Sequence, residues 1–221
     1  MDIEARTLQV RMHGRYLVRK PSLPGPWPVL VGFHGYRENA AMHLAALEAV
    51  SGLDGWLLVA VQGLHRFYTR GGEVVASWMT KEDRDLAIAD NVAYVQQVVD
   101  AVRAEFPTTE TLVFAGFSQG TAMAFRAAAH IRATALVAAG ADVPPDVAAG
   151  TSVPLPPILY GRGHRDDLYS AQQHADDVAA LQRLGTEVES VTFDGGHELS
   201  ADFLASMGRM MNRFSGGSYT R

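Results

Sequence analysis

The chain has 221 residues, 48% hydrophobic and 19% charged, with no cysteine and a formal net charge of −5. That length suits one α/β domain with a sizeable core. The missing cysteines exclude disulfides, a thiol nucleophile and Cys-based metal sites, and the acidic balance argues against nucleic acid or an anionic membrane as partner.

In chain order, Met1-Asp2-Ile3-Glu4 begins acidic, without the basic and apolar regions of a signal peptide. No apolar run approaches the roughly 20 residues that cross a bilayer, so a cytoplasmic protein with no stable membrane association is expected. Residues 8–19 alternate loosely around Gly14, as in an edge hairpin. Residues 21–28, Pro-Ser-Leu-Pro-Gly-Pro-Trp-Pro, predict a stiff surface connection. From there strands and helices alternate. Strands are predicted at 29–33, 56–61, 112–117, 135–139, 158–160 and 188–193, all but the last short apolar runs. Helices are predicted at 40–50, behind a capping box at Thr80-Lys81-Glu82-Asp83, after the serine at 118, and from Ser170 with Val178, Leu181 and Leu184 inward and Gly185 as its stop. Phe203, Leu204, Met207, Met210 and Phe214 mark a last helix. Residues 65–79 and 142–157 read as loops. The pattern predicts a mostly parallel, doubly wound sheet with helices on both faces: one domain over 1–214 and a frayed tail over 215–221.

Residues 112–120 carry the strongest functional signal. An apolar strand ends in Gly116-Phe117-Ser118-Gln119-Gly120, and a small, Ala-rich helix follows. This is the G-x-S-x-G elbow in its strand–turn–helix context, which stands a serine hydroxyl above the sheet edge. A serine hydroxyl is a poor nucleophile at neutral pH. It needs a base, and the base needs an acid to fix its tautomer. The order Ser118, Asp166, His197 supplies all three, each after a separate strand. His197 lies in Gly195-Gly196-His197-Glu198, read as a mobile loop presenting an imidazole. Asp166 and Asp167 compete for the acid, and Asp166 is preferred. The oxyanion hole is assigned to the backbone N–H groups of Gln119 and Tyr36, with Gly35 permitting the bend and His34 bracing the loop.

Phe67, Tyr68 and Trp78 on the 65–79 loop, with Tyr36, Phe117 and Leu168, suggest an apolar pocket at the strand ends. For Trp78 the alternative is packing beneath the loop. His13, His43, His65, His130 and His174 have no metal-ligand spacing, so neither metal nor cofactor is expected. Gly161-Arg162-Gly163 is too short to argue for a nucleotide.

With these residues in view, the chain resembles the α/β-hydrolase superfamily, and within it the phospholipase/carboxylesterase group that includes acyl-protein thioesterases. The resemblance rests on His34-Gly35, the Gly-Phe-Ser-Gln-Gly elbow, the Gly-x-Arg-Asp-x-x-Tyr run at 163–169 and Gly195-Gly196-His197-Glu198. It places the acid on Asp166 and implies hydrolysis of carboxylic esters or thioesters, without a lid domain. One departure stands out: the group usually continues His-Gly with another glycine and an acidic residue, whereas Tyr36-Arg37-Glu38 follow here. The expected function is a serine esterase for small-molecule, short-to-medium acyl esters. A thioesterase or lysophospholipase of the same group, and a catalytically silent binding protein of the same fold, are the alternatives. A homodimer is left open.

Overall fold

In the computed structural model, residues 3–214 are described. Met1, Asp2 and the expected tail at 215–221 lie outside the described residues. Seven strands form the main sheet: β1 (Arg15–Arg19), β2 (Trp27–Phe33), β3 (Leu57–Gln62), β6 (Thr108–Phe117), β7 (Ala135–Ala139), β8 (Ile158–Gly163) and β9 (Val188–Phe193). Their order is β1-β3-β2-β6-β7-β8-β9, and only β1 runs antiparallel. The apolar runs explain the parallel core. All six residues of β3 and all five of β7 are buried, as strands covered on both faces must be.

Two apolar layers flank this sheet. α2 (Arg84–Glu105), α3 (Gln119–His130) and Leu181 of α5 (Ala171–Arg183) pack on one face. Leu47 of α1 (Ala40–Glu48) and Phe203, Met207, Met210 and Met211 of α6 (Ala201–Asn212) pack on the other. α4 (Pro145–Ala148) is one short turn within the stretch read as loop. Among the described residues no helix is long and apolar enough to cross a membrane.

Several local expectations are corrected. Segment 65–79 is not a loop but contains a hairpin of β4 (His65–Tyr68) and β5 (Val74–Ser77). Its strands have four residues each, too short to show a period. Only β1 forms from the expected edge hairpin at 8–19. Trp27 and Pro28, expected in the connection, begin β2. The capping box at 80–83 does not form. Asp83 caps α2 in a left-handed conformation without a side-chain bond, and the Thr80 hydroxyl accepts instead from the Glu82 N–H. The box at Ser170 and Gln173 is present. Leu184 is exposed at the end of α5, not inward.

Burial also makes a prediction about acid. His34, His43 and His174 are all buried, and loss of solvent lowers their pKa values: His43 to about 3 and His174 to about 4, with His34 shifted the same way. In the unfolded chain an imidazole takes its proton near the ordinary value of 6.5. The unfolded state therefore binds more protons below that pH, and stability falls as pH drops through 6.5. Each histidine contributes up to about 1.4 kcal/mol per pH unit. Urea unfolding between pH 5.5 and 7 should show this slope, and His43→Met should remove about one proton's worth of it. Stability independent of pH across that window would refute the account.

Candidate active site

The strand order reverses direction between β2 and β6. β3 follows β2 on one side, while the chain returns to pair β6 on the other. Such a switch point opens a crevice at the carboxyl ends of the strands. The loop at His34-Gly35 leaves β2 there, and Ser118 leaves β6 beside it.

Ser118 has φ 51° and ψ −124°, a conformation that L-residues rarely adopt. Close packing holds it there. A Cβ on Gly116 would lie 2.2 Å from Gly120 O, and one on Gly120 would lie 2.0 Å from Phe33 O. Only glycine at both positions lets strand, turn and helix approach so closely. The Ser118 N–H donates to Ala139 O at 2.9 Å, tying the elbow to β7.

Three side chains meet above this turn. His197 Nε2 lies 2.8 Å from Ser118 Oγ. His197 Nδ1 lies 3.0 Å from Asp166 Oδ2 and 3.1 Å from Oδ1. An ionised carboxylate only accepts, so Nδ1 carries the proton and Nε2 is left to accept from the serine hydroxyl. The Asp166 carboxylate is buried, and its Oδ1 also accepts from the Leu168 and Tyr169 N–H groups, both at 2.9 Å. Asp167 is exposed, so the structure brings together the preferred one of the two adjacent carboxylates.

The loop carrying His197 was expected to be mobile. It is fastened to the loop that carries Asp166 instead: the Arg165 N–H donates to Gly195 O and the His164 N–H to Phe193 O, both at 2.8 Å. Phe117 packs against the imidazole, ring centroids 5.0 Å apart. Gly140 has φ 70°, and a Cβ there would lie 3.2 Å from His197 Cε1.

At the other side of Ser118, Gln119 is the first residue of α3, so its N–H has no carbonyl within the helix to bond. Its side chain is engaged elsewhere, accepting from the Trp78 N–H at 2.9 Å and donating to Met79 O at 3.0 Å. The His34 ring is a two-sided brace. Nε2 accepts from the Gly63 N–H at 3.0 Å, so Nδ1 donates to Gly35 O at 2.7 Å. Pinning that carbonyl turns the Tyr36 N–H of the same trans peptide the opposite way. The departure at Tyr36-Arg37-Glu38 now has a physical reading. Arg37 sits at φ 64°, in the region that favours glycine, and Glu38 accepts from the Gly35 N–H at 2.7 Å. The turn a glycine and an acidic residue would make is thus made here, at about 1–2 kcal/mol of strain.

The expected pocket residues divide. Tyr36 is 55% exposed and stacks on Phe67, ring centroids 5.8 Å apart. Leu168 is 70% exposed, two residues after Asp166. Trp78 is corrected: it is fully buried, with its indole N–H donating to His34 O at 2.8 Å, and packs against the His34 loop as core. Sequence reasoning missed the side-chain roles of Gln119 and Glu38. Among the described residues no group of three or more His, Asp or Glu side chains is placed to hold a metal ion.

The sequence model of the phospholipase/carboxylesterase family matches residues 29–214. Solved structures share the fold. Esterase PE8 superposes with a TM-score of 0.72 at 20% identity, covering 90% of this chain and 98% of that one. A carboxylesterase from Bacillus cereus gives 0.71 at 17% identity, covering 90% and 94%. Acyl-protein thioesterase 2 from Zea mays gives 0.70 at 18% identity, covering 92% and 100%. No curated protein matches the sequence. The chain belongs to the phospholipase/carboxylesterase family of the α/β-hydrolase fold and is a carboxylic ester hydrolase.

Proposed function

We propose that this hydrolase cleaves small, soluble carboxylic esters through an acyl-enzyme on Ser118, with His197 as base and Asp166 as the acid that orients it. The observation that carries the reading is the continuous chain from Ser118 Oγ through His197 to Asp166, at 2.8 and 3.0 Å, across three strand ends. His197 Nε2 takes the hydroxyl proton as Oγ attacks the acyl carbon. The N–H groups of Gln119 and Tyr36 stabilise the negative charge on the carbonyl oxygen. As the tetrahedral intermediate collapses, His197 passes its proton to the leaving alcohol. Water then attacks the acyl carbon, with His197 again taking a proton. The acid departs and Ser118 is restored.

Tyr36, exposed and stacked on Phe67, follows Gly35 in the chain, and exposed Leu168 follows Asp166 closely; this apolar area supports a preference for small acyl groups. Each methylene that reaches this surface adds at most about 0.8 kcal/mol, roughly fourfold in kcat/KM. A series of p-nitrophenyl esters should rise over the first few methylenes and then flatten or fall, with triglyceride emulsions poorly turned over. An acyl-CoA and a lysophospholipid tested beside them separate oxygen from sulfur leaving groups and small from lipid substrates. A profile that keeps climbing through long acyl chains, or activity confined to emulsified lipid, would overturn the small-ester reading.

A further inference from the structure

The acid loop is gripped by a side chain outside the Ser-His-Asp chain. Arg162, in the Gly161-Arg162-Gly163 run that ends β8, is only 6% exposed. Its Nε donates to Tyr169 O at 3.1 Å and its Nη2 to Asp166 O at 3.3 Å. Among the described residues no carboxylate forms an ion pair with it. After burial, its charge is the next reason that the pKa of His174 is lowered.

A buried guanidinium without a carboxylate costs several kcal/mol, so stability alone gives little reason to keep it. What it offers is a rigid fork of donors. Those donors span the first and last residues of the loop from Asp166 to Tyr169. From the other side, Asp166 Oδ1 takes the N–H groups of Leu168 and Tyr169. Carbonyls of the loop are thus fixed by Arg162 and its amides by the carboxylate itself. The direction in which that carboxylate points depends on both.

The flanking glycines serve the same junction. A Cβ on Gly163 would lie 2.1 Å from Gly196 O, in the loop that carries His197. A Cβ on Gly161 would lie 2.2 Å from the Phe203 ring of α6. The three-residue run is where the acid loop, the histidine loop and the last helix meet.

We propose that Arg162 is a positioning residue, holding the Asp166 carboxylate against His197 through the main chain of the acid loop. This rests on Asp166 being the triad acid. Arg162→Lys keeps a charge and a long stem but replaces the planar fork by one ammonium. Arg162→Met removes the charge as well. With p-nitrophenyl butyrate as substrate, kcat should fall about 10-fold in the Lys variant and about 100-fold in the Met variant, with KM within about twofold. Circular dichroism checks that each is folded, and the Lys variant decides the matter if the Met variant is not. The decisive measurement is the double variant. In an Asp166→Asn background, Arg162→Lys should cost less than about twofold more, because the carboxylate it positions is gone. A folded Arg162→Lys enzyme with wild-type kcat, or a full additive cost beside Asp166→Asn, would overturn the proposal. Normal turnover by Asp166→Asn alone would instead remove the acid assignment, and this inference with it.

Discussion

Ser118→Ala is expected to lower ester turnover by on the order of 10⁵–10⁶-fold and leave the fold intact. Two features make the loss large and clean. The hydroxyl is half-exposed above the sheet, and its one side-chain hydrogen bond is to His197 Nε2. Removing it takes away the nucleophile without opening a cavity in the core. The backbone conformation depends on Gly116 and Gly120 and on the bond from the Ser118 N–H to Ala139 O, none of which involves Oγ. Alanine at φ 51° is strained about as serine is, so the thermal midpoint should move by no more than a few degrees. The small residual rate over water would come from the N–H groups that receive the oxyanion. Covalent labelling by a fluorophosphonate should vanish in parallel with turnover. Labelling or turnover near the wild-type level would show that the nucleophile lies elsewhere.

Much of this geometry was legible in the sequence because its determinants are local. Strands buried on both faces must be apolar runs, and β3 and β7 read as such. The elbow needs small residues at fixed offsets from the serine, and those offsets survive in one dimension. What the sequence hid was long-range. The β4–β5 hairpin was invisible because its strands have four residues each, with β4 largely exposed and β5 mostly buried, so neither shows an alternating period. Trp78 reads as a loop aromatic until its indole N–H finds the carbonyl of His34, 44 residues earlier in the chain. Leu184 fits a helical period but falls at the last turn, where the chain leaves the sheet. Arg37 carries no sequence mark of its left-handed backbone. The β-bridge between Glu38 and Ala76, the bond from the Arg37 N–H to Ala76 O and the bonds that join Glu38 back to Gly35 hold it. The acid was the sharpest ambiguity, since two adjacent aspartates are equivalent in composition and differ only in the way they point.

That ambiguity yields the second large effect. Asp166→Asn should reduce kcat/KM by on the order of 10³–10⁴-fold, whereas Asp167→Asn should cost less than about threefold. The argument is one of donors and acceptors. Asp166 Oδ1 already accepts two main-chain N–H groups, from Leu168 and Tyr169. In the asparagine variant the single carbonyl oxygen is retained by those two donors. The amide nitrogen is then turned toward His197 Nδ1, 3.0 Å away. Two donors cannot face each other, so the imidazole must move its proton to Nε2. That nitrogen then donates toward Ser118 Oγ where it needs to accept, and the base is lost although every heavy atom stays in place. Asp167 is exposed one residue further on, and its neutralisation changes only a solvated charge. Steady-state kinetics on a small ester, with circular dichroism as the folding control, separate the two variants. If Asp167→Asn proves the more damaging, the acid is Asp167 and the loop must rearrange when substrate binds.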